Sequence, residues 1–109
     1  MKGNIVISDN KKIHAIVCSD ILRLESQGGY TIIHSKNNQQ YVSSNHLKII
    51  IKDLDPRIFF RVHKSHVVNL KEVKTYEKGT GGLITMSDGS IVVVSRRNKT
   101  EFLKKFCSK

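Results

Sequence analysis

Two basic segments in the second half of the chain carry the side chains best suited to binding chemistry. The first runs from Ser95 to Lys99 and contains Arg96, Arg97 and Asn98. Arginine presents paired N–H donors that match phosphate oxygens or the O6/N7 edge of guanine, and an asparagine amide can reach a base edge or the backbone. The segment therefore predicts contacts to nucleic acid, with a solvated surface as the plain alternative.

The second segment contains Arg61, His63, Lys64 and Ser65. If it is a strand, alternation places Arg61 and His63 on one side and Val62 on the other, and Lys64 and Ser65 lie at the strand end. An ammonium, an imidazole and a hydroxyl suit a DNA groove, where they can meet phosphates or the acceptors of base edges. The alternative is that Ser65 caps a short turn and that one of the two histidines only packs, which is the interpretation we favour for His66.

A third candidate surface follows a glycine pair. Gly28 and Gly29 permit a tight turn or a close backbone approach, and Tyr30 and Thr31 come directly after them. Tyr30 could stack or hydrogen bond through its hydroxyl. A plain hairpin turn with Tyr30 packed on a neighbouring strand explains the same residues equally well.

The sequence contains no set of residues at the spacing of a known catalytic motif. The run from His63 to His66 places histidine, lysine and serine side by side, but no carboxylate lies near it to complete a triad. No Gly-x-Ser-x-Gly elbow, phosphate-binding glycine loop or His-Glu-x-x-His pattern occurs, and the other histidines are isolated. We therefore expect no enzyme activity, no metal site and no cofactor.

The charge balance favours a polyanionic partner. The 109 residues include 19 Lys plus Arg and 9 Asp plus Glu, which gives a formal charge of +10. Residues 1–56 contribute +2, residues 57–99 contribute +6 and residues 100–109 contribute +2. The excess is thus collected in the half that holds both basic segments, as expected for a nucleic-acid-binding protein.

Length and composition indicate one folded domain over residues 1–109. Hydrophobic residues make up 39% of the chain, and no apolar run approaches the roughly 20 residues that cross a bilayer. No secretion signal follows Met1, so the cytoplasm is the expected compartment. Cys18 and Cys107 are too far apart for a metal-binding or redox pair, and both are expected to be reduced thiols, with Cys18 buried.

The elements that must position these residues are mostly strands. Short β-branched runs separated by turn residues predict an antiparallel meander in the first half. A Ser43 or Ser44 cap followed by an apolar face predicts a short helix that ends before Pro56. The strands are expected at residues 5–8, 12–17, 21–25, 30–35, 40–43, 58–63, 67–70, 73–76, 83–87 and 91–95.

A terminal helix is expected from Arg96 to Phe106, with Ser95 as its cap. Three cations would then occupy its first turn, where each opposes the helix dipole by about 0.3–1 kcal/mol when exposed. A phosphate-bearing partner offsets that cost. The position of the cluster therefore supports a binding role over a solubility role.

Three segments in order resemble the LytTR family of bacterial DNA-binding domains. They are residues 19–30 (SDILRLESQGGY), 59–70 (FFRVHKSHVVNL) and 87–97 (SDGSIVVVSRR), and the resemblance covers about residues 4–106. It implies an all-β fold of elongated antiparallel sheets with a short helix after the first strands and a short C-terminal helix. It also implies that loops between strands enter successive major grooves of duplex DNA. Those loops fall at Tyr30-Thr31, His63-Lys64-Ser65 and Arg96-Arg97-Asn98.

Together, these observations predict a sequence-specific, double-stranded DNA-binding transcription regulator. Arg97 is the expected base reader and Lys64 the second, while phosphate contacts are expected from Arg96, Lys99, Arg61 and His63. The resemblance further implies tandem half-sites, a homodimer on DNA and a phosphate-accepting receiver domain in the response regulators that carry such domains. A basic β-sandwich that docks on an acidic protein, or an RNA-binding β-domain, remains the alternative.

Overall fold

The computed structural model describes residues 3–79 and 81–108, and within them the chain forms ten short strands and two α-helices. Strand breaks coincide with the glycine, asparagine and aspartate turns of the sequence. The elements are β1 (Asn4–Ser8), β2 (Ile13–Val17), β3 (Ile21–Gln27), β4 (Tyr30–Ser35), β5 (Gln40–Ser43), α1 (Leu47–Ile51), β6 (Phe59–His63), β7 (His66–Asn69), β8 (Val73–Glu77), β9 (Leu83–Met86), β10 (Ile91–Val93) and α2 (Arg96–Cys107).

The strands form three antiparallel sheets. β1 and β2 make a hairpin, a central sheet has the order β5-β4-β3-β7-β6, and a third has the order β10-β9-β8. The molecule measures 43 × 27 × 24 Å along its principal axes. The prediction of an elongated, all-β arrangement of antiparallel sheets with two short helices is confirmed.

The central sheet is buried on both faces because its strands alternate apolar side chains between them. Leu24 and Val67 are opposite each other and belong to the core under α1 and the β1–β2 hairpin. Val68, the next residue of β7, belongs to the other core, which Val62 and Phe102 share with the three-stranded sheet. Each face therefore has its own apolar core, and α2 is fixed to the second of them.

Asn69 stands in an otherwise apolar run of the sequence, which predicts that its amide forms internal hydrogen bonds. Its Nδ2 donates to the Ile21 carbonyl at 2.9 Å, and its Oδ1 accepts from the Lys71 N–H at 2.9 Å. This confirms the internal hydrogen-bonding role. The bond to Ile21 joins the end of β7 to the start of β3, its neighbour in the central sheet, and the bond from Lys71 caps the turn that follows β7.

The first helix is shorter than the sequence predicts. It runs only from Leu47 to Ile51, with His46 at the N-cap position and no side-chain cap. Ser43 is not available as the cap, because its hydroxyl lies buried at the end of β5 and accepts the Asn45 N–H at 3.1 Å. The expectation of a helix beginning at Ser43 or Ser44 is therefore wrong.

Other predicted boundaries agree to within two residues, and two short 3-10 turns, Cys18–Asp20 and Leu70–Glu72, were not anticipated. The glycine-rich sequence at residues 79–82 predicts a turn, but Thr80 lies outside the described residues, as do Met1, Lys2 and Lys109. Cys18 and Cys107 are free thiols, but Cys18 is only half-buried, so its predicted burial is partial. In the described part of the chain, neither helix is long and apolar enough to span a membrane.

Candidate nucleic-acid interface

Strand β6 places its charged side chains outward by means of a bulge. The pairing with β7 shifts between Arg61, which lies opposite Val67, and His63, which lies opposite His66. Val62, between them, is fully buried in the second core, whereas Arg61 is exposed and His63 is half-buried. The alternation expected from the sequence is thus present, and the bulge adds the local twist that such irregularities produce.

The turn after β6 is held by hydrogen bonds from its own side chains. The Ser65 N–H donates to His63 Nδ1 at 3.0 Å, and the Arg61 guanidinium donates to the Lys64 carbonyl. On the other side, the Ser65 carbonyl accepts the Ser26 N–H at 2.8 Å. The turn is therefore attached to the end of β3, and Lys64 projects from a fixed backbone.

The start of α2 is fastened to the same strand. The Ser95 N–H donates to the Val62 carbonyl at 2.8 Å, so the N-cap residue of α2 lies beside the bulge of β6. Ser95 makes no side-chain cap bond to the helix backbone; instead its hydroxyl accepts from Asn98 Nδ2 at 2.9 Å. Phe102, which lies one turn after Asn98 and is fully buried, anchors the helix in the second core.

These attachments create one shallow basic depression of about 390 Å³. Within the described residues, neither Lys64 nor Arg97 forms an ion pair, and no carboxylate lines the depression. Unpaired cations around a concave surface bind anions without first breaking an internal salt bridge. The lining residues are Arg61, His63, Lys64, Ser95, Arg97 and Asn98.

Three of the remaining predicted residues lie beside this depression, and Tyr30 lies at the same end of the central sheet. Ser65 is half-buried in the turn itself, and Arg96 and Lys99 occupy the first turn of α2 just outside the depression, with no acidic residue in that turn. Tyr30 is 56% exposed at the β3–β4 turn, at the same end of the central sheet as the β6–β7 turn. It lines a separate hollow, which also contains Lys12 and the carboxylate of Asp9.

Thr31 does not belong to the surface. It is 0% exposed, and its hydroxyl donates to the Asn45 carbonyl at 2.8 Å. The prediction that its side chain faces DNA is wrong because β4 turns Thr31, Ile33 and Ser35 inward, leaving Tyr30 as the accessible member of the pair.

Lys48 is a basic residue at this end of the sheet that sequence reasoning did not include. It lines a second depression of about 250 Å³ together with Arg61, Ser26, His46 and Leu47, and that depression also has no carboxylate. The available signal was its place outside the apolar face of α1. Arg61 borders both depressions, so the β6–β7 turn has a basic hollow on each side.

A group of ionisable side chains lies behind the turn on β3, β4 and β7. Burial acts to raise the pKa of Glu25, but the His34 hydrogen bond at 2.6 Å and the Arg23 charge outweigh it and leave that pKa below its ordinary value. Burial lowers the pKa of His66, against the charge of Glu25. His66 Nδ1 is buried and has no hydrogen-bond partner among the described residues. His66 is therefore best described as a neutral packing residue, as the sequence favoured.

Comparison with known proteins gives a consistent result. The LytTr DNA-binding domain family matches residues 11–106. The chain is 32% identical over 103 residues to the sensory transduction protein LytT of Bacillus subtilis, a match that covers 92% of this chain and 42% of that protein. It is 28% identical over 75 residues to the transcriptional regulatory protein LytR of Staphylococcus aureus, covering 69% and 30% respectively.

A solved structure shares the fold. It is the LytTr DNA-binding domain of a putative methyl-accepting/DNA response regulator from Bacillus cereus, with a TM-score of 0.83, 20% sequence identity, and coverage of 96% of this chain and 97% of that one. The chain spans less than half the length of LytT and LytR. On the match over residues 11–106, this chain belongs to the LytTr DNA-binding domain family.

Proposed function

We propose that the chain acts as one sequence-specific binding domain for duplex DNA and serves transcription regulation. The observation that carries this proposal is that Lys64 and Arg97, distant in sequence, line one basic depression without a carboxylate. A turn and a helix start that converge in this way can meet a single duplex.

Within this surface, we assign Arg97 to base reading and Lys64 to a second contact in the groove. Both are exposed, and a bidentate arginine contact to guanine contributes about 1–3 kcal/mol of discrimination. Arg96 and Lys99 flank them on α2 and are assigned to phosphates, which set the register of the protein on DNA. Arg61 retains guanidinium N–H groups beyond the one that binds Lys64.

Paired DNA fits this surface better than a single strand. Single-stranded nucleic acid is bound by aromatic platforms on which bases stack. Of the three tyrosines, Tyr30 is exposed, whereas Tyr41 and Tyr76 are half-buried. A stacking platform would need several such rings on one face, so the cations and not the aromatics dominate recognition.

The similarity to LytR and LytT suggests how such a domain would be used. We propose that it works in the cytoplasm as the output part of a response regulator, whose receiver domain controls association, and that two copies bind tandem half-sites as a dimer on DNA. A single module of this size buries limited surface on DNA, and a second copy raises selectivity.

The experiment is selection of bound sequences from a random duplex pool, followed by a salt titration on the selected duplex. For Arg97→Ala we expect lost preference at one base position, and for Lys104→Ala, an exposed lysine further along α2, an unchanged selection. If Arg97→Ala leaves both affinity and base preference intact, the site assignment is wrong. If structured RNA or an acidic protein competes away the duplex, a different partner class is correct.

A further inference from the structure

The β6–β7 turn is closed by two side chains of β6, which both bind the peptide unit that joins Lys64 to Ser65. His63 Nδ1 accepts the Ser65 N–H at 3.0 Å, and the Arg61 guanidinium donates to the Lys64 carbonyl. Both polar groups of that peptide unit are thus hydrogen-bonded to side chains that the same strand supplies. Neither bond involves the exposed end of Lys64.

The bond to Ser65 occupies one nitrogen of the His63 ring. An imidazole nitrogen that accepts an N–H uses its lone pair for that bond, so Nδ1 is engaged by the turn and only Nε2 remains for another partner. The charged groups that share its depression, Arg61, Lys64 and Arg97, are all cations, and the ring of His66 lies 5.4 Å away across the strand pair. The cations around the ring are therefore better placed than His63 to bind phosphate.

We propose that His63 is a positioning residue, which holds the Lys64 turn in its DNA-binding conformation through Nδ1 and does not itself bind phosphate. The proposal rests on the proposed binding of duplex DNA. If the turn is already ordered in the free protein, DNA binding does not have to overcome the conformational entropy of ordering it. When a fraction of molecules leaves the binding-competent conformation, the apparent affinity falls by that fraction.

The test uses two substitutions that each imitate one half of the ring. In His63→Asn, the amide oxygen takes the place of Nδ1 and can accept the Ser65 N–H, but the group at Nε2 is lost. In His63→Gln, the amide reaches the place of Nε2, and the acceptor near Ser65 is lost. Both variants remove the imidazole, so a change of charge or ring stacking affects them equally.

We expect His63→Gln to weaken binding to the selected duplex about fivefold, as for the loss of one hydrogen bond, and His63→Asn to recover most of that loss. Hydrogen exchange of the Ser65 amide gives a readout without DNA. That amide is expected to be protected in the wild type and in His63→Asn, and to exchange faster in His63→Gln. Unfolding of all three proteins, followed by circular dichroism, checks that the fold is retained.

Three results would overturn the proposal. Retained affinity in His63→Gln with loss in His63→Asn would show that Nε2 contacts DNA directly. Equal affinities of the two variants would show that the ring has no positioning role. Fast exchange of the Ser65 amide in the wild type would show that the turn is not locked. If the Ser65 amide is protected from exchange in the wild type but the protein shows no preference among duplexes, the proposed function fails. The conclusion that His63 holds the turn then still stands.

Discussion

The buried ring of Phe102 offers the sharpest test of how the fold positions the interface. It is fully buried and packs with Phe60, Tyr76 and Phe106 at centroid distances of 6.4, 5.6 and 5.5 Å. Truncation of such a ring to alanine costs about 3–5 kcal/mol, from lost transfer free energy and from the cavity left behind. For a domain of about 100 residues, 1 kcal/mol lowers Tm by about 4 °C or more.

We therefore expect Phe102→Ala to lower the free energy of unfolding by about 3–5 kcal/mol and to weaken DNA binding, because the ring anchors the helix that carries Arg97. Urea unfolding followed by far-UV circular dichroism measures the first effect, and titration with the selected duplex measures the second. Cys107→Ala, an exposed position on the same helix, is the control and should change stability by less than about 0.5 kcal/mol. A loss below about 1 kcal/mol in Phe102→Ala would refute the packing described for α2.

Two further predictions concern acid stability and salt dependence. The His14 hydrogen bond and the N–H groups of residues 11 and 12 lower the pKa of Asp9 from 3.8 to about 2. The ionised Asp9 therefore stabilises the fold above pH 3.8, and this stabilisation is lost as the pH falls to about 2. We expect Asp9→Asn to flatten the acid-unfolding curve in that window. A curve identical to that of the wild type would contradict this prediction. Lys48→Ala should reduce the slope of log affinity against log salt concentration by about 0.9, as for the loss of one phosphate contact. Lys52 does not line the depression that contains Lys48, so Lys52→Ala should leave the slope unchanged. Equal slopes for the two variants would exclude a DNA contact by Lys48.

Much of the fold follows from local patterns in the sequence. The Asp88-Gly89 turn, the glycine pair before Tyr30 and the proline at position 56 each mark a break, and the strands between them are where β-branched residues predict them. The terminal helix begins at Arg96 as its Ser95 cap position indicates. These features depend on backbone preferences of a few neighbouring residues, which is why they could be predicted.

The burial of Thr31 could not be predicted in the same way. Ile32 and Ile33 are adjacent and both apolar, so alternation in β4 fits either phase. The phase is set by distant elements, because Ile33 packs in the core under α1 and the β1–β2 hairpin. Thr31 then points to the same interior and finds the Asn45 carbonyl as its partner.

That the two basic segments lie side by side could also be seen only from the structure. The hydrogen bond from Ser95 to Val62 depends on a bulge in an edge strand, and nothing in the local sequence signals that bulge. Charge alone singled out both Lys64 and Arg97, but only the path of the chain puts them beside one depression. The positioning role proposed for His63 also depends on the structure, because its partner is a backbone N–H two residues further on.

The central claim is that the β6–β7 turn and the start of α2 contact the same duplex. Amide chemical shifts of ¹⁵N-labelled protein, recorded during titration with the selected duplex, test it residue by residue. We predict that the largest changes fall at residues 61–66 and 95–99, and that the β4–β5 turn at residues 36–39, at the opposite end of the central sheet, stays unchanged. Large changes at residues 36–39, with none at Lys64 and Arg97, would contradict the account.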